Sequence, residues 1–161
     1  FAAPNLNAPD DPHVNGMRIS FLHGRNESMR GLDFGLLSVS ETTKMSGVAF
    51  VLGMSRVHGE MSSGAAFSLV NDHTGHDTGV NAAFVNLLED AEGTVNTGFI
   101  TIARGATLLD LGGINMSKRS TAQIGFVNIT KEIESFQLGF LNMAENGFLP
   151  VFPIFNFPKK R

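Results

Sequence analysis

A chain of 161 residues, 42% of them hydrophobic, is long enough to bury the core of one domain. A formal charge of −3 removes any electrostatic case for nucleic acid, and the absence of Cys excludes disulfide staples and thiolate metal sites. Fourteen Phe and 18 Gly stand beside no Trp or Tyr, a composition suited to frequent turns and close backbones, and no run approaches the roughly 18 apolar residues of a membrane helix.

Residues 1–13 carry Pro4, Pro9 and Pro12 and read as an extended arm outside any sheet, because proline lacks the donor a strand ladder needs. The opening Phe1-Ala2-Ala3-Pro4 looks like an end left by removal of a secretory signal, whose cleavage site prefers small residues. An exported protein is therefore expected, extracellular or at the cell surface, with the periplasm or outer membrane as the alternative.

From residue 14 to 157 one pattern returns ten times, as MRISFLH (17–23), LDFGLLS (32–38), VAFVLGM (48–54), AAFSLVN (65–71), VNAAFVN (80–86), VNTGFIT (95–101), LDLGGIN (109–115), AQIGFVN (122–128), FQLGFLN (136–142) and PVFPIFN (150–156). Successive closing positions lie 13 to 17 residues apart, enough for a strand and a turn. Polar, turn-prone stretches such as RNES, ETTK and AENG separate the blocks. A basic tail, 158–161, follows. Without helical periodicity the chain reads as all-β: a repetitive β-solenoid of about ten short rungs, or alternatively an antiparallel up-and-down β-meander or barrel.

Within each block bulky and small or polar residues alternate. Leu32, Phe34, Leu36, Ile124, Phe126, Phe136, Leu138 and Phe140 are expected to form the core. Asp33, Asn81, Asn96, Asp110, Gln123 and Gln137 are then expected to face outward, beside a packing face of Gly35, Gly98, Gly112, Gly125 and Gly139 that another sheet or chain can approach closely. Asn71, Asn86, Asn115, Asn128, Asn142 and Asn156 occupy six of the ten closing positions. Stacked in parallel they would form an amide ladder inside the coil; in a meander they would alternate between the two ends of the sheet. Met29, Met45, Met61 and Leu108 are candidates for the short interior side.

IGFVNITKEIESFQLGFLN (124–142) and PVFPIFNF (150–157) resemble the bacterial surface-repeat proteins built from iterated G-L-Q-x-G-L-V-N units. That resemblance implies an exported, repetitive β scaffold and brings no catalytic residues with it.

Candidate chemistry is sparse. Asp72, His73, His76 and Asp77 offer imidazole and carboxylate donors of the kind that hold Zn²⁺, yet no remote ligand accompanies them. A solvated polar loop is the expected state, with no cofactor. Asp33 and Asp110 lie five repeats apart, roughly 24 Å at strand spacing, too far for paired acid–base work. No enzyme is expected. The function expected is structural: a rigid scaffold that packs against itself, as a homo-oligomer or filament, or against a cell-surface partner. A small outer-membrane barrel is the alternative. Pro150 and Pro153 would blunt the last strand edge.

Overall fold

The computed structural model describes residues 7–8, 12–62 and 64–159. It is all-β, as the repeats suggest. Five strands, β1 (Asn7–Ala8), β2 (His13–Met61), β3 (Ala65–Asp77), β4 (Val80–Ala144) and β5 (Val151–Asn156), lie in that order in one open sheet. Three of the ten blocks fall within β2, one in β3 and five in β4, and the last, but for Pro150, in β5.

Neighbouring repeats run in the same direction. Phe50 pairs with Phe67 and Phe67 with Ala82, both parallel, at offsets of 17 and 15 residues. The up-and-down alternative needs antiparallel neighbours, and those occur only at the two ends of the described sheet. At one end Asn7–Ala8 pairs with Ile19–Ser20, within the arm expected to lie outside any sheet. At the other, β5 returns antiparallel along β4, with Phe155 beside Leu138.

A corner inside each block sets which side chains face inward. Leu22 and Leu37 take φ of 63° and 49°, and Gly53 takes 153° with a register shift between Val51 and Met54. Such a corner inserts one extra residue into the in–out alternation. Asp33 and Gly35 are buried, Leu36 and Leu37 both face solvent, and Ser38 is buried again.

This reverses the expected inside and outside. Leu32, Phe34, Leu36, Ile124, Phe126, Phe136, Leu138 and Phe140 are exposed, up to 70% at Phe140, whereas Asp33, Asn81, Asn96, Asp110, Gln123 and Gln137 are all buried. The five glycines form no outward face either. A Cβ on Gly112 would strike the carbonyl oxygen of Gly98, one on Gly139 that of Gly125, and one on Gly35 the Ser38 hydroxyl. Backbones and polar side chains fill the interior beside these glycines. An apolar interior persists where Met45, Ala49, Val51, Val57, Met61 and Ala66 cluster. Met29 is buried as expected; Leu108 is exposed, and Leu88 and Ile133 are the large apolar residues inside the later repeats.

Candidate interaction surface

The interior holds its polar groups by pairing them from repeat to repeat. Asn71 donates to Asn86 Oδ1 (2.9 Å), and Asn86 to Thr101 Oγ1 (3.4 Å). Asn115 donates to Asn128 Oδ1 (2.9 Å) and Asn128 to Asn142 Oδ1 (2.8 Å). The same amides donate to backbone carbonyls of the next repeat: Asn86 to Thr97, Asn115 to Ile124, Asn128 to Leu138. Each therefore satisfies a carbonyl near the corner as well as its neighbour. Asn156 leaves this rank. Because β5 runs antiparallel, its side chain meets Gln137 Oε1 (3.3 Å) and the Leu149 carbonyl (3.1 Å) instead.

A second buried rank, read from sequence as surface, runs beside the first. His73 Nδ1 donates to Asp77 Oδ2 (2.6 Å), which also accepts from Asn81 (3.0 Å). Asn81 donates to Asn96 (3.1 Å) and Asn96 to Asp110 Oδ1 (2.8 Å). Asp110 Oδ2 accepts from Thr107, Gln123 and Ser120, and Gln137 donates to Gln123 Oε1 (2.8 Å). Near the start of the chain Arg18 is fully buried with Asp33, Asn26, Ser40 and Thr42.

Burial pushes the Asp110 carboxyl above its ordinary range, against the opposing donors Asn96, Thr107, Gln123 and Ser120. The folded chain thus holds that proton more tightly than the unfolded one. The stabilisation is fully present below the unfolded carboxyl pKa and is lost as pH rises through the raised folded value. Urea midpoints measured against pH should show the native chain losing stability relative to Asp110→Asn across that interval, and a constant difference above it.

The four candidate metal donors are divided by strand alternation. His73 and Asp77 point inward and bond to each other. Asp72 accepts from Arg56 Nε (2.9 Å), and His76 faces Asp90 and Glu92 (3.2 and 3.4 Å). No group of three or more His or carboxylate side chains converges to hold a metal ion among the described residues. Asp33 and Asp110, the two acids weighed for catalysis, both lie inside.

What remains outside is two-sided. One sheet face presents three columns across eight repeats: Leu32, Val48, Ala65, Val80, Val95, Leu109 and Phe136, with Ala122 buried in line with them; Phe34, Phe50, Phe67, Ala82, Thr97, Leu111, Ile124 and Leu138; Leu36, Leu52, Leu69, Phe84, Phe99, Gly113, Phe126 and Phe140. No charged residue occurs among them. Rings stack along the columns, with centroids 5.0 Å apart for Phe50–Phe67 and Phe126–Phe140, and 5.1 Å for Phe84–Phe99. Eight strand spacings by three alternate side chains make an apolar area of about 40 by 20 Å, on the order of 800 Å². That exceeds the largest apolar patch of an ordinary monomer, about 300–600 Å².

The sheet beyond the corner is mixed. In the early repeats its middle column is ionic: Arg56 bridges Glu41 (3.1 Å) and Asp72 (2.9 Å). From Leu87 onward that column is apolar, through Ile102, Met116, Ile129 and Met143, beside Val85, Ile100, Ile114, Val127 and Leu141. Charges of the later repeats lie beyond it, at Glu89, Arg104, Lys118, Lys131 and Glu145. No family model, curated protein or solved structure matches the chain.

Proposed function

We propose that the protein is an exported, non-enzymatic structural protein, a β-solenoid with one repeat per coil, whose uncharged apolar face packs against the same face of a second copy. Parallel offsets of 15 and 17 residues and side-chain bonds 13 to 15 residues apart support one repeat per coil. An open sheet with parallel neighbours speaks against the outer-membrane barrel, since bacterial barrels are closed and antiparallel. The likeness of residues 124–142 to exported surface repeats supports a place outside the cell.

The charge-free face carries the reading. Its area of about 800 Å² matches what each partner contributes to a stable interface, and its composition is that of an interface core. Flat faces of this kind join as a sandwich, with side chains interdigitating about 10 Å apart. Lateral pairing fits better than end-to-end growth, because β1 lies along the first edge and β5 lies antiparallel along the last.

Sedimentation equilibrium should find a dimer. Phe99→Asp with Phe126→Asp, both outward and central, should weaken it by about three orders of magnitude while leaving the far-UV circular dichroism spectrum unchanged. A native chain that stays monomeric at high concentration removes the proposal.

A further inference from the structure

The second sheet face of the later repeats carries an arrangement that self-packing does not use. Leu87, Ile102 and Met116 are 37%, 36% and 38% exposed on a strip only two columns wide. Its outer border runs Glu89, Arg104, Lys118, Lys131 and Glu145, with three cations in a row at its centre. Arg104 is matched by Glu89 (3.0 Å), but no carboxylate pairs with Lys118 or Lys131 among the described residues. These two lysines lie one strand apart, each next to a member of the hydrogen-bonded Ser117–Thr130 pair (3.3 Å). Two like charges about 5 Å apart on adjacent strands repel, so the fold alone gives no reason to stack them.

We infer that this strip is a docking surface for an anionic phospholipid leaflet. The apolar columns enter the boundary between headgroups and acyl chains. The lysine stems cover the edge of the strip while their ammonium groups reach lipid phosphates. The protein lies on the surface and does not cross it. A shallow groove beyond the lysines is lined by Asp90, Glu92 and Glu132 as well as by cations. A soluble polyanion therefore finds little net positive charge there. A phosphate that arrives attached to acyl chains meets the lysines and the apolar strip together.

Co-sedimentation of the full chain with vesicles tests this. Binding should be strong to phosphatidylcholine mixed with phosphatidylglycerol, weak to phosphatidylcholine alone, and reduced by salt. Lys118→Gln with Lys131→Gln should weaken binding about 30-fold, from the loss of two surface cations. Ile102→Asn with Met116→Gln should weaken it at unchanged charge. Phe99→Asp with Phe126→Asp, which alters only the other face, should bind like the native chain. Circular dichroism melts confirm that each variant folds. Equal binding to uncharged vesicles, full binding by the lysine variant, loss confined to the Phe99/Phe126 variant, or equally tight binding of inorganic polyphosphate would each overturn the inference.

Discussion

Asn128→Ala should lower the unfolding free energy by about 3 kcal/mol, read from urea or guanidinium denaturation. Asn128 sits mid-ladder, fully buried, accepting from Asn115 and donating to Asn142 Oδ1 and the Leu138 carbonyl. Alanine leaves Asn142 Oδ1 and the Leu138 oxygen without that donor in a site closed to water, where an unmet buried group costs about 1–3 kcal/mol. Against a total stability of about 5–15 kcal/mol this is a large fraction. Thr101→Ala should cost about 1 kcal/mol, because Thr101 receives one long bond from Asn86 (3.4 Å). Between Thr101 and Asn115 the ladder is interrupted, and Asn115 Oδ1 has no partner. Equal losses at the two sites would mean that the amides are turn formers and not a cooperative rank.

That rank was the most legible part of the chain. Asn recurring at the repeat interval announces parallel stacking, and the parallel pairing of Asn71 with Asn86 agrees. Which way the bulky side chains point was illegible, and one residue explains why. Uniform alternation from Asn128 back to Phe126 and Ile124 puts all three on the same side. The corner places Phe126 and Val127 both outward before Asn128 turns in, so the parity of everything earlier in the block flips. A register step of one residue exchanges the two faces of a strand. No residue type marks this step: Leu22 and Leu37 turn their corners in the left-handed region, while Gly53 at the equivalent place takes φ of 153°.

A signal for the second rank was present all the same. Asn81, Asn96, Asp110, Gln123 and Gln137 each stand five residues before a closing position, as regularly spaced as the closing residues themselves. Polar residues on a solvated face have no reason to keep such register. Fivefold recurrence of amide or carboxylate is better explained by mutual hydrogen bonding, which is where the structure puts them. For the Asp72–Asp77 segment the composition was visible but the alternation decided the outcome. Two donors went inside and two outside, which separates groups that a local ligand set would need together.

The second large effect concerns Arg18 and Asp33, 15 residues apart and therefore at equivalent places in adjacent repeats. Arg18 Nε donates to Asp33 Oδ1 (2.8 Å), and its Nη2 donates to Asp33 Oδ2 and Ser40. Its Nη1 donates to Asn26 Oδ1 (2.6 Å). Both charges are out of water, so desolvation offsets much of their attraction. Removing one partner is a different matter. Arg18→Met strands the Asp33 carboxylate with Ser40 as its donor (2.6 Å), and should cost about 3–5 kcal/mol. Asp33→Leu, which strands the guanidinium, should cost a similar amount. The double variant Arg18→Met/Asp33→Leu removes both charges and should recover most of the loss, giving a coupling of about 3 kcal/mol or more in a denaturant-based mutant cycle. Additive losses would place the two charges in independent, solvated settings. A double variant more stable than the native chain would mean the ion pair sets register at a net cost in stability, as a polar group does at the centre of a coiled coil.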